Sequence, residues 1–243
     1  MATQVAVVGY RGRMGAEACR AIEADPDLEV GARIGRGDSL DSLSACSVAL
    51  DLTTPDSVEE NVRGMVERGV HAVVGTSGLR DEALADLDAD ARTAGVRVFV
   101  VPNFAIGAVL MMSFAAKAAP YFDGVEIVER HHDKKADAPS GTALRTARLV
   151  RDARLGDWRP SPTNETLAGS RGGDADGVRI HSLRLRGSVA HQEVVFGGTG
   201  ETLTIRHDSI DRSSFMAGVL LSLKRVAALP PGVTVGLEHL LEL

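Results

Sequence analysis

Gln4-Val5-Ala6-Val7-Val8-Gly9-Tyr10-Arg11-Gly12-Arg13-Met14-Gly15 runs a short β-branched segment into three glycines spaced three apart, and a helix-periodic stretch, Gly12 to Ala24, follows. A strand that turns on glycine into a helix brings the unpaired amides of the helix N-terminus against an anion, the arrangement that holds a dinucleotide pyrophosphate. The spacing is G-x-x-G-x-x-G, whereas the dinucleotide fingerprint places glycine where Arg11 stands. By spacing alone, a plain strand-to-helix turn competes with a nucleotide site. Its position at the first strand-helix junction favours the nucleotide, and makes Gly9, Tyr10, Arg11, Gly12, Arg13 and Met14 candidate cofactor contacts.

Outward from this turn the pattern repeats. Short apolar runs at Gln4–Val8, Val30–Ile34, Val48–Leu52, Ala72–Gly75 and Val98–Val101 read as buried strands, and Gly12–Ala24, Pro55–Glu67 and Asp81–Thr93 read as the helices between them. Thr54-Pro55 offers a capping hydroxyl ahead of proline at a first helical position. The alternation predicts an α/β fold, a Rossmann-type doubly wound parallel sheet with helices on both faces. Beyond Phe104 the pattern changes to a helix over Gly107–Tyr121, a strand over Gly124–Arg130 and a helix opened by Pro139-Ser140-Gly141. A polar, Gly- and Pro-rich region, Gly156–Gly177, is expected to form a long mobile loop, and Val178–Arg186, Gln192–Gly198 and Thr202–His207 to form strands. This half reads as α+β on a mixed or antiparallel sheet. Periodicity does not assign the last helix, Ser213–Ala228, to either half.

Two more loops follow strand ends, where open α/β sheets bind ligands: Gly75, Thr76 and Ser77 in one, Val101, Pro102, Asn103 and Phe104 in the other. Both are candidate cofactor contacts or mere turns. At the end of the second strand, where an NAD site carries an acid, the chain reads Arg33-Ile34-Gly35-Arg36, with no carboxylate before Asp38. Arg33 and Arg36 are either solvated charges or a fork for a 2′-phosphate; on the second reading NADPH is expected to be accepted at the least, with a preference for it open, and Arg36 to contact it.

At 243 residues the chain is long enough to bury its own core. Its 27 basic and 33 acidic residues are well mixed and sum to −6, which leaves no basic stripe for nucleic acid and no polybasic membrane patch. Cys19 and Cys46 form no disulfide framework or zinc spacing, and the opening residues show no leader signal, so a cytoplasmic protein is expected. No apolar run is long enough to span a bilayer.

The densest chemistry lies in Glu129-Arg130-His131-His132-Asp133-Lys134-Lys135-Ala136-Asp137-Ala138-Pro139-Ser140-Gly141-Thr142. Adjacent imidazoles transfer protons near neutral pH, ammonium groups attract carboxylates, and a Ser-Gly-Thr helix start offers amides to an anion. An acid beside an anion clamp is one reading; zinc ligation and plain surface charge are others. Ser140 is a helix cap whether or not it also touches substrate, and Lys134 and Asp133 are expected to face water. Arg206 and His207 are further candidates for a second carboxylate.

Six motifs, in order and spacing, resemble the 4-hydroxy-tetrahydrodipicolinate reductase (dihydrodipicolinate reductase) family across nearly the whole chain. They are Gly9-x-x-Gly12-Arg13-Met14-Gly15, Asp51-x-Thr53-x-Pro55, Gly75-Thr76-x-Gly78, Pro102-Asn103-Phe104-Ala105-Ile106-Gly107, Glu129-x-His131-His132 with Lys135-x-Asp137-Ala138-Pro139-Ser140-Gly141-Thr142, and Arg206-His207 with Arg212. The resemblance implies a homotetrameric enzyme that reduces a cyclic dicarboxylate imine with NADH or NADPH. It implies a dinucleotide-binding domain, 1–104 with 213–243, and a substrate-binding and tetramerisation domain, 105–212. It makes His131 the proton donor, Lys135 a second catalytic acid, and His132, Gly141 and Thr142 substrate contacts, with Ser140 expected to contact substrate beside them; no metal is implied. Gly35 departs from the acid usual in the family, so NADH selectivity does not carry over. The two connections between halves are expected to act as hinges. A dehydrogenase of another small amino or keto acid, and a catalytically silent nucleotide sensor, remain as alternatives.

Overall fold

The computed structural model describes residues 2–154, 163–241 and 243. In chain order the elements are β1 (Thr3–Val8), α1 (Arg13–Glu23), β2 (Leu28–Ile34), β3 (Val48–Asp51), α2 (Val58–Glu67), β4 (His71–Val74), α3 (Asp81–Ala94) and β5 (Arg97–Val100). There follow α4 (Ile106–Ala118), β6 (Gly124–His131), α5 (Gly141–Ala153), β7 (Gly173–Ala175), β8 (Val178–Arg184), β9 (Ala190–Gly198), β10 (Glu201–Ser209), α6 (Met216–Arg225) and β11 (Gly232–Val235). The chain divides into two compact units, residues 1–106 with 212–243, and residues 107–211.

The first unit is built on a six-stranded sheet in the order β11-β5-β4-β3-β1-β2, with every pairing parallel. Val5, Ala6, Val7, Ala49, Leu50, Ala72, Val73 and Val98 have no exposed surface, as strands covered on both faces require. Helix α1 turns Gly15, Ala18, Cys19 and Ile22 inward and packs beside α6, while α2 packs beside α3. The chain leaves β1 for β2 on one side and returns to β3 on the other. The switch point therefore lies at the carboxyl ends of β1 and β3, beside the glycine turn.

The second unit holds a mixed sheet, β10-β9-β6-β8-β7, in which only β6 and β8 pair in parallel. Along β6, Val125, Ile127 and Glu129 are buried while Glu126, Val128 and Arg130 are less so, and α5 packs against this sheet. The alternation of period two puts one face of the sheet against helix and leaves the other open.

Four expectations change. Helix α2 starts at Val58, because the Thr54 carbonyl accepts the amides of Ser57 and Val58 and the Thr54-Pro55 segment forms a turn rather than a first helical turn. The sheet gains a sixth strand, β11, which the sequence reading leaves unassigned. Part of Gly156–Gly177 is not loop, since β7 pairs with β8 across the Asp176-Gly177 turn; residues 156–162 of that region lie outside the described residues. The last helix is shorter than Ser213–Ala228, with short 3-10 turns at each end of α6, and it belongs to the first unit.

Candidate active site

At the glycine turn, Gly9 has φ +89°, and a Cβ there would stand 2.5 Å from the Leu52 carbonyl oxygen at the end of β3. A Cβ on Gly15 would run into the Gly9 carbonyl, so this glycine sets how closely α1 approaches the strand. Gly12 caps α1 without a side-chain bond, and no acid occupies the first turn. Its opening amides and the positive end of its dipole are thus left for an anion, and the residues present fit a dinucleotide pyrophosphate.

The neighbouring strand ends are fixed by one buried carboxylate. Asp51, with no exposed surface, accepts from Thr53 N at 3.1 Å, Thr53 Oγ1 at 2.8 Å, Asn61 Nδ2 at 2.8 Å and Thr76 Oγ1 at 2.5 Å. The Thr76 hydroxyl is therefore committed to Asp51, and Thr76 can reach a cofactor only through its backbone. Phe104 is 4 % exposed, with its ring against Gly75, and Val101 is buried, so these too present backbone. Asn103 Oδ1 accepts the Ala105 amide at 2.9 Å, and Ser77 and Pro102 are exposed.

At the end of β2, Arg33 pairs with Glu23 near the end of α1 and Arg36 is exposed. Arg11 donates to the Tyr10 hydroxyl at 2.9 Å. The carboxylate missing from the sequence at position 35 is present in space: Asp38 Oδ2 accepts the Gly35 amide at 2.8 Å.

The second unit assembles the His/Lys segment around Glu129. This carboxylate has no exposed surface; Oε2 meets His131 Nδ1 at 2.6 Å, and Oε1 accepts the Ser140 amide at 3.2 Å. Arg184, on β8, grips it with both terminal nitrogens at 2.9 Å and donates to the Asp137 carbonyl at 2.6 Å. Burial alone would raise the Glu129 carboxyl, but hydrogen bonds from Arg184, Ser182 and His131 outweigh it and hold it below its usual value. Burial pushes His131 below the usual imidazole value; Glu129 opposes that shift, while Lys135 and Arg184 add to it. With Nδ1 anchored to a carboxylate, Nε2 is the nitrogen left to exchange a proton.

Lys135 Nζ holds the Asp137 carboxylate at 2.7 and 2.8 Å. His132 and Gly141 are exposed, Thr142 is half-buried, and Gly141 and Thr142 form the first turn of α5, which carries no acid. Ser140 acts as the cap of α5: its side chain accepts from Ala143 N at 3.2 Å, and the residue is 3 % exposed. Arg206 is displaced. It lies one residue from His207 along β10 and so on the opposite face of the sheet from Glu129, bound by Asp208 and Glu193 at 2.7 and 2.8 Å. Among the described residues no three His, Cys, Asp or Glu side chains converge as metal ligands, and no helix is long and apolar enough to cross a membrane.

Glu129 and Arg184 have no assigned role in the sequence reading. The signal for Glu129 was present, since a residue two before His131 on a strand must share its face. Arg184 comes from a distant strand and carries no local mark.

Two family models match the chain: one described as "Dihydrodipicolinate reductase, N-terminus" over residues 3–104, and one described as "Dihydrodipicolinate reductase, C-terminus" over residues 107–241. A 4-hydroxy-tetrahydrodipicolinate reductase of Streptomyces griseus is 54% identical, with 99% of this chain and 98% of the relative covered. Another, from Thermobifida fusca, is 54% identical with 99% of both covered. Among solved structures, a dipicolinate-bound dihydrodipicolinate reductase from Paenisporosarcina sp. TG-14 superposes with a TM-score of 0.89 at 40% identity, covering 98% of this chain and 99% of that one.

Proposed function

The chain belongs to the dihydrodipicolinate reductase family, and from that premise we propose that it reduces (2S,4S)-4-hydroxy-2,3,4,5-tetrahydrodipicolinate to 2,3,4,5-tetrahydrodipicolinate, a step of diaminopimelate and lysine biosynthesis. The family uses NADH or NADPH, which supplies the hydride. Overall one hydride and one proton are taken up and one water leaves. Hydride addition to a conjugated imine leaves electron density on the adjacent atom or ring nitrogen, so an acid must stand beside it.

His131 is that acid. The observation that carries the assignment is the Glu129 carboxylate on Nδ1 at 2.6 Å, which fixes the ring and reserves Nε2 for proton exchange. Lys135 takes one substrate carboxylate in exchange for Asp137, and the positive charge so placed steadies the developing anion. The amides of Gly141 and Thr142 at the start of α5, with His132 beside them, receive the other carboxylate. Gly9 to Met14, Gly75 to Ser77 and Val101 to Phe104 hold the dinucleotide in the first unit, largely through backbone. Residues 1–104 with 213–243 act as the cofactor domain and 105–212 as the substrate domain.

A homotetramer in the cytoplasm completes the reading. Cys19 and Cys46 are both free and buried, as a reducing compartment allows. The open face of the mixed sheet, which shows Val128, Val195 and Leu183 among charged neighbours, is the surface available for association.

The test is oxidation of NADH and NADPH by the purified protein, supplied with the condensation product of pyruvate and aspartate semialdehyde. Turnover is expected with at least one nucleotide, and His131→Gln and Lys135→Ala should each lower kcat about 10²- to 10⁴-fold. Wild-type rates in both variants would remove the assignment.

A further inference from the structure

We propose that Asp38 supplies the ribose-binding carboxylate that position 35 lacks, and that it makes the protein favour NADH over NADPH; the inference rests on the reductase reading above. In sheets of this topology the end of the second strand meets the adenosine ribose, and an acid there accepts from its hydroxyls. Gly35 occupies that place in the chain, yet Asp38 folds back on it. Oδ2 accepts the Gly35 amide at 2.8 Å, and the Asp38 amide donates to the Gly35 carbonyl at 3.2 Å. Gly37, at φ +83°, takes the backbone through the turn.

A side chain at 35 would crowd this approach. A Cβ there would lie 3.1 Å from Asp38 Oδ2, 3.3 Å from Tyr10 Cε1 and 3.4 Å from Arg11 Nε. Tyr10 and Arg11 belong to the glycine turn, so the carboxylate stands against the cofactor loop and not out on a surface excursion. Among the described residues Oδ1 has no hydrogen-bond partner and is left to accept a ribose hydroxyl.

The charges nearby point the same way. A depression of about 760 Å³ is lined by Asp38, Asp56, Glu59, Glu60 and Glu67 against Arg63 and Arg68. Those two guanidinium groups are already paired, Arg63 with Glu59 and Arg68 with Asp41, and Arg33 is paired with Glu23. A 2′-phosphate on that ribose would bring its negative charge against the Asp38 carboxylate, with exposed Arg36 and Arg11 to offset it. NADPH is therefore a weaker second cofactor.

Direct calorimetric titration of the full protein with NADH and NADPH tests this, with AMP and 2′,5′-ADP as probes of the adenosine end alone. Wild type should bind NADH more tightly. Asp38→Asn, which keeps an acceptor for the Gly35 amide, should shift the NADH-to-NADPH ratio of dissociation constants about ten- to a hundredfold toward NADPH. Arg36→Ala should weaken NADPH and 2′,5′-ADP and leave NADH alone. A ratio that moves less than twofold in Asp38→Asn, or a wild type that prefers NADPH, overturns the inference while leaving the reductase reading intact. Absence of binding by either nucleotide would overturn both.

Discussion

At the scale of single residues, the carboxylate under the proposed proton donor, His131, sets the expected pH behaviour. His131 sits below its usual value of 6.5 because it is buried, and Glu129 is the group that opposes the shift. If the imidazolium is the proton donor, kcat/KM must fall as pH rises through this lowered value, so the protein works on a descending limb at neutral pH. Glu129→Gln removes the opposing charge. We expect the limb to move to lower pH and kcat at pH 7 to fall, with the Kd for NADH unchanged and partial recovery in Glu129→Asp; a pH-rate profile of the three proteins checks it, and an unmoved limb would deny Glu129 this positioning role. The same carboxyl lies below its ordinary 4.5, so its contribution to stability is present above that value and is lost as pH falls through the lowered one. Truncation to Ala leaves Arg184 without its main partner and is expected to cost toward the lower end of about 3–5 kcal/mol, since Arg184 keeps some exposure; urea unfolding at pH 7 measures it. His131 and Lys135 stand out as candidates in the sequence because their chemistry is concentrated in one short segment. Arg184 was not, because the β6–β8 pairing that brings it to Glu129 joins strands some fifty residues apart.

At the scale of elements, helix starts illustrate the difference between a local signal and its use. Ser140 is recognisable as a cap, and in the folded chain capping is what it does, since its side chain closes the first turn of α5 while its own amide binds Glu129. Ser140→Ala should therefore destabilise the protein by about 1 kcal/mol, seen as a fall in melting temperature, while KM for the dicarboxylate changes less than in Thr142→Ala. A KM effect equal to that of Thr142→Ala would return Ser140 to the substrate contacts. Thr54-Pro55 carries an equally good local signal and was misleading, since the helix begins three residues later. The missed strands are those whose conformation comes from their neighbours. Strand β7, Gly173-Asp174-Ala175, has no β-forming side chain and exists by pairing with β8. Strand β11 is four residues after two prolines and gains its place by joining β5 at the edge of a sheet already formed. Of the nine strands that the sequence does show, β1, β3, β4 and β5 are β-branched runs buried by helices, where composition and burial agree.

For the whole molecule, the open face of the mixed sheet must account for the proposed tetramer. On this face β6 and β9 place Val128 and Val195 between Glu126, Glu193 and Arg206, and these three charges are paired within one chain as Arg206–Glu193 and His181–Glu126, while the Arg130 guanidinium on the same face has no ion pair among the described residues. Charges already paired beside an apolar centre can meet a second copy without being buried alone, whereas a new charge at the centre cannot. Val195→Lys is the discriminating change. In one chain the new ammonium lies in register with Glu126 and is accommodated, so the variant should fold; between copies it would be buried against its own kind. Light scattering should give wild type about four times the 25.6 kDa of a single chain and the variant a smaller assembly, with NADH affinity held within twofold because the nucleotide loops belong to the other unit. A variant that keeps the wild-type mass would move the association surface elsewhere. One that loses NADH affinity as well would show that the first unit needs the assembly for its own order.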